Sequence, residues 1–147
     1  MSQEKKEPTA QKQKDIQKKY VEYQMEEQQI RQLQQQLEKL EHQTLEVAAV
    51  EQSITDMASA KPGTDILVPV SGGIFFKAQV KDNSNFLVNV GSGVVVKKDV
   101  TGTKELLNQQ SKELERFKEH IVEQLAEHIS IYQEIEQELK KMVEDNV

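Results

Sequence analysis

At 147 residues, 36% hydrophobic and 30% charged, with only 5% aromatic residues and no Trp, the chain lacks the apolar material for one thick core and should be elongated. The absence of Cys excludes disulfides, thiolate metal sites and thiol nucleophiles and suits a cytoplasmic protein. No apolar run approaches the ~18 to 20 residues that span a bilayer, residues 1–20 have no apolar signal-like stretch, and a net charge of -6 without a large basic patch argues against nucleic acid.

Four segments are expected in chain order: a flexible N-terminus over 1–14, a coiled-coil helix over 15–60, a β-rich oligomerisation region over 61–102, and a second coiled-coil helix over 103–147. In the first helix Ile30, Leu33, Leu37, Leu40, Thr44, Val47, Glu51 and Ile54 recur in alternating steps of three and four, the pattern of a coiled-coil seam. Extended backwards, the register places Ile16, Tyr23 and Ile30 in one row and Lys19 and Glu26 in the other, so the seam loosens toward the N-terminus. Gln is abundant between these positions, and Gln is a good helix former.

Lys61, Pro62, Gly63 and Thr64 end that helix, because Pro disfavours helix in the residue before it and Gly suits the position after a helix end. Four short strands follow, at Ile66 to Val70, Ile74 to Val80, Phe86 to Val90 and Val94 to Lys97. Their connections, "SGG", "KDNSN" and "GSG", carry the residues that turns require. Ile74, Phe76, Ala78 and Val80 alternate with Lys77, Gln79 and Lys81, while Phe75 breaks the alternation. Pro69 cannot donate a ladder hydrogen bond, which restricts its strand to an edge or to one-sided pairing.

The second helix is expected to be capped by Thr101 or Thr103, with Thr103 favoured because Leu106 and Leu107 follow it, and to use Leu107, Gln110, Leu114, Phe117, Ile121, Gln124, His128, Ile131, Ile135, Glu138 and Met142 as its seam. On that register Tyr132, Leu139 and Val143 fall outside the seam. The helices differ in charge: residues 1–19 hold six Lys against three acids, and residues 103–147 hold six basic residues against eleven acids. Side by side and antiparallel, they would pair with that asymmetry, although each exposed pair is worth only ~0.2 to 1 kcal/mol.

Four strands form a single layer that cannot bury its own apolar face. With both helices using their apolar stripes on each other, Val68, Ile74, Phe76, Val80, Val88, Val90, Val94 and Val96 are expected to assemble subunits. Chemistry finds no foothold: His42, His120 and His128 lack metal-ligand spacing, the glycines precede no Lys-Ser/Thr or helix start, and no paired carboxylates suggest catalysis. A non-enzyme without cofactor or metal is expected.

The run "LVPVSGGIFFKAQVKDNSNFLVNVGSGVVVKKDV" between two matched helices resembles the α-class subunit of archaeal prefoldin over the whole chain. The resemblance implies an α+β fold in which two long antiparallel coiled-coil helices are joined by a central pair of β-hairpins that contribute to an intersubunit β-barrel. It implies an ATP-independent chaperone that holds unfolded proteins and passes them to a group II chaperonin. It also implies partners, two α-class with four β-class subunits, with six coiled coils hanging from two shared barrels. On that reading Ile16, Tyr20, Tyr23, Met25, Ile131, Tyr132, Ile135, Leu139, Met142 and Val143 bind clients at the coiled-coil tip. The alternative is a structural coiled-coil scaffold or filament-forming subunit that binds no client.

Overall fold

The structure, a computed structural model, describes residues 6–145, with side chains from residue 10 onward. Its elements are α1 (Lys6–Ser59), β1 (Asp65–Ser71), β2 (Ile74–Gln79), β3 (Asn85–Gly91), β4 (Val94–Asp99) and α2 (Val100–Glu144). Two compact units divide them, one formed by Met1–Glu41 with Arg116–Val147 and the other by His42–Glu115. The first five residues of the expected flexible start lie outside the described residues, and from Lys6 the chain is already helical. Pro8 is compatible with this because a helix tolerates Pro in its first turn, where the missing N–H has no partner in any case.

In the first unit α1 and α2 are antiparallel, since Lys19 faces Glu138, Tyr23 faces Tyr132, Glu26 faces His128 and Glu41 faces Lys118. The α1 seam follows the expected rows, with Ile16, Lys19, Tyr23, Glu26, Ile30, Leu37 and Leu40 half-buried and Leu33 buried. The α2 seam differs in one of its rows. His128, Ile135 and Met142 turn inward as expected, but the alternate row lies one residue later, at Lys118, Leu125, Tyr132 and Leu139, which leaves Phe117 61% and Ile131 41% exposed. Two contacts explain the shift. The Lys118 stem lies inward while its ammonium reaches Glu41 at 3.9 Å, and the Tyr132 ring stacks on Tyr23.

The second unit carries the hairpins. Instead of one four-stranded layer there are two separate two-stranded antiparallel sheets, β1–β2 and β3–β4. They are copies of one unit at a spacing of 20 residues: Leu67 with Lys77 and Leu87 with Lys97 are equivalent pairs, as are Val68 with Phe76 and Val88 with Val96. Both ladders slip at the same place, skipping Val70 in one and Val90 in the other. The loop residues Gly72–Gly73 and Ser92–Gly93 all have positive φ, as a type I′ turn needs. Leu, Val, Val, Gly and Lys recur identically at 67/87, 68/88, 70/90, 73/93 and 77/97, so the repeat is written in the residues themselves.

Both hairpins are rooted by backbone and polar contacts at the helix ends. Val80 donates its N–H to Thr64 O and accepts from the Gly63 N–H, and its side chain is only 5% exposed. It is therefore spent inside the chain and departs from the expected assembly set. In the β2–β3 connection the Asn83 amide Nδ2 donates toward the carbonyls of Met57 (3.3 Å), Ala58 (3.2 Å) and Ala60. These belong to the carbonyls that a helix end leaves without intrahelical partners. Asp82 forms the adjoining turn, and the hydroxyl and N–H of Ser84 hold its carboxyl below the usual range.

The start of α2 corrects the expected Thr103 cap. Asp99 ends β4 and caps the helix, its Oδ1 accepting the Gly102 N–H at 2.7 Å. A Cβ on Gly102 would stand 2.9 Å from that oxygen, so a larger residue there would have to displace the Asp99 carboxylate slightly. Thr103 is buried instead, its hydroxyl donating to Asp99 O at 2.7 Å. Substituting Asn83→Ala removes the amide from three carbonyls and should lower stability by about 1–2 kcal/mol, read as a shift of the urea midpoint at constant slope. Asn83→Asp should cost more, because a carboxylate turned toward carbonyls repels them.

Candidate functional site

Two surfaces gather exposed apolar residues, one in each unit. In the first unit an open groove of about 790 Å³ is lined by Ile16, Tyr20, Val21 and Tyr23 from α1 and by Leu139 and Val143 from α2, with Gln17, Glu136, Lys140 and Glu144 among its walls. Tyr20, Val21 and Val143 are each just over half exposed, at 52%, 52% and 53%. Helical spacing builds the site, since residues three and four apart share a face.

An aromatic stack backs the groove. Tyr23 and Tyr132 lie nearly parallel with ring centroids 4.4 Å apart and their hydroxyls 2.5 Å apart, and Tyr20 stacks on Tyr23 at 6.3 Å. These are all three tyrosines of the chain. The hydrogen bond to Tyr132, helped by desolvation and nearby carboxylates, pushes the Tyr23 phenol up to about 12. Polar layers lie alongside: Lys19 Nζ is 2.5 Å from Glu138 and 3.4 Å from Glu22, and His128 Nδ1 is 2.6 Å from Glu26. The Lys19 ammonium is held above its ordinary pKa chiefly by the Glu138 hydrogen bond.

Of the ten residues expected to bind clients, the groove gathers Ile16, Tyr20, Tyr23, Leu139 and Val143. Tyr132 and Met142 are half-buried in the seam, and Ile135 is buried at 6% exposure, so it is unavailable as surface. Met25 and Ile131 are exposed but do not line the groove. Val21 and Gln17 were missed. The signal for Val21 was its place beside Tyr20 and one turn from Gln17, outside any seam row.

The second surface belongs to the hairpins. Ile74, Phe75, Phe76, Val90, Val94, Val95 and Val96 are exposed together with Leu67, Val70 and Leu87, the last at 78%. Val68 and Val88 are half-buried at equivalent places in β1 and β3. Apolar residues therefore face outward on both sides of each sheet, which Phe75 had signalled by breaking alternation. Among the described residues no group of three or more His, Asp or Glu is placed to hold a metal, and no helix is long and apolar enough to cross a membrane.

A family model for the prefoldin subunit matches residues 26–145. This chain belongs to the prefoldin family. Among curated relatives, the prefoldin subunit alpha of Methanococcus aeolicus is 28% identical over 130 residues, covering 88% of each chain. That of Pyrococcus horikoshii is 34% identical over 107 residues, 71% of each, and that of Archaeoglobus fulgidus is 29% identical over 126 residues, 86% of this chain and 92% of the relative. A solved structure of filamentous PFD from Methanocaldococcus jannaschii superposes with a TM-score of 0.71 at 16% identity, over 79% of this chain and 96% of the other, and so shares the fold. The chain is thus of the archaeal prefoldin α class, a chaperone subunit with the coiled-coil and hairpin architecture.

The Tyr23 phenol gives a pH prediction. Its folded pKa of about 12 lies above the ordinary value of 10.0, so the folded form retains a proton that the unfolded chain loses first. Its stabilising effect is complete below pH ~10 and disappears as pH rises toward ~12. Thermal melts between pH 9 and 11.5, read by far-ultraviolet circular dichroism, should show a falling midpoint that is shallower in Tyr23→Phe.

Proposed function

We propose that this prefoldin α-class chain is a holdase subunit acting in the cytoplasm. It captures unfolded proteins in the groove of its first unit without ATP and delivers them to a group II chaperonin. Its hairpins join β-class subunits, two α with four β, into a shared β-barrel assembly. The observation that carries this reading is the open apolar groove, whose half-exposed Tyr20, Val21 and Val143 leave apolar surface beyond what helix pairing uses. The doubled hairpin supports assembly through this region, because each chain brings two equivalent copies of one apolar surface. Two such grooves in one assembly, alongside the arms of its partners, would hold a client by effective concentration while each releases it readily. On this reading the assembly surface comprises Val68, Ile74, Phe76, Val88, Val90, Val94 and Val96, without Val80.

A structural scaffold or filament without client binding is the second reading. One feature favours it: both hairpins share one form, so a second copy presents the same surface as the chain's own hairpins.

Mixing the chain with a β-class partner and following light scattering from a diluted, denatured enzyme separates the two readings. Suppressed scattering supports the holdase, and a stable complex that leaves aggregation unchanged supports the scaffold. Tyr20→Ser with Val143→Ser should weaken capture by about tenfold or more per groove and leave the mass of the complex unchanged by native mass spectrometry. Val88→Asp with Val94→Asp should release free subunits. A complex that survives that pair of charges would mean that assembly uses another face of the hairpins.

A further inference from the structure

The groove is apolar along its floor, and carboxylates, Glu136 and Glu144, stand at both ends of its α2 wall. We infer that it selects client segments in which aliphatic or aromatic side chains are followed by Arg or Lys, an inference that rests on the client-binding reading above. Three features converge on a cation there. Glu136 and Glu144 belong to its lining, and Glu144 has no ion pair with a described residue. The groove runs along the last turns of α2, which ends at Glu144, where the free carbonyls of a helix C-terminus carry partial negative charge. Tyr20 is half exposed on a ring stack anchored by the Tyr23–Tyr132 hydrogen bond, offering an aromatic face to a guanidinium or ammonium.

Among the described residues, Lys12, Lys14 and Lys18 of α1 are exposed and lie outside the lining, and the other neighbouring cations are committed or mobile. Lys19 is engaged with Glu138 and Glu22. Lys140 is the one cation among the described residues that line the groove; its side chain is 71% exposed and 3.9 Å from Glu136, so a client cation competes with a loose surface pair. Lys141 lies in the last turn, beside Asp145, which closes the helix by donating its N–H to Lys141 O at 2.9 Å. Ile16, Val21, Leu139 and Val143 would receive the apolar part of the segment. Segments ending in Glu or Asp would meet the carboxylates and the carbonyl end of α2 with like charge.

The test uses three labelled peptides with one shared apolar core, ended by Arg-Arg, Gln-Gln or Glu-Glu, titrated with the full chain by fluorescence anisotropy. The Arg-ended peptide should bind roughly two- to fivefold more tightly than the Glu-ended one. That preference should shrink at raised salt, grow in Lys140→Gln and vanish in Glu136→Gln with Glu144→Gln. Equal affinities in the unaltered chain, or a preference that persists in the double Gln variant, would overturn the charge selection. Tyr20→Ser with Val143→Ser distinguishes the two levels of the argument. If it leaves all three peptides bound as before, the groove is not the client site and the parent reading falls. If it weakens all three while the ends make no difference, only the preference for cations falls.

Discussion

Two strands joined by a type I′ turn satisfy each other along one line of hydrogen bonds, and nothing in such a hairpin covers its faces or outer edges. This chain makes that arrangement twice and gives both copies Val, Ile, Leu and Phe on their surfaces. Fully burying one large aliphatic or aromatic side chain contributes roughly 1.5–3 kcal/mol. Association costs about 4–15 kcal/mol in lost translational and rotational freedom. Several such side chains per hairpin are enough to exceed that cost, which fits a family whose members are subunits. The same exposure would favour aggregation in a chain that lived alone.

The first unit solves a different problem. Its seam includes apolar positions such as Leu33 and Ile121, but it also includes Lys19 with Glu138, Tyr23 with Tyr132 and Glu26 with His128. Partly exposed ion pairs add little stability. Their effect is on register, because sliding one helix along the other would separate all three pairs at once, much as a single polar seam residue specifies alignment in a coiled coil. Fixed register in turn sets which α1 residues stand across from Leu139 and Val143. A groove built from two helices keeps its shape only if they cannot slip.

Much of this was legible in the residues. The α1 seam was readable because Ile30, Leu33, Leu37 and Leu40 leave little choice of row. The α2 seam was half readable, because its two candidate rows each mix apolar and polar residues. Phe117 and Ile131 drew the register one way, whereas a snorkelling Lys118 and the stacked Tyr132 decide it the other way in three dimensions. The strands were legible from Gly and Asn punctuation, but their separation into two sheets was not, since alternation says nothing about which strand stays without a second neighbour. The spacing of 20 between equivalent residues was available and would have predicted two copies of one hairpin. Asn83 could not be found this way, because an amide that caps a helix 23 to 26 residues away has no local signature.

Val80 and Ile74 show how sparse apolar material is divided. Both were expected on one strand face, yet Val80 lies just past β2, tied by its backbone to Gly63 and Thr64 and buried, while Ile74 sits beside the turn and is 67% exposed. Ile135 and Val143 divide similarly on α2, one at 6% and the other at 53% exposure. Burial within the chain thus goes to positions that root a hairpin or close the seam, and exposure to positions farther from those roots. A chain with only 36% hydrophobic residues could have used more of them to stabilise itself. Leaving so many outside exchanges the stability of the isolated chain for surfaces that only another protein can cover, and both surfaces, on hairpin and groove, share that logic.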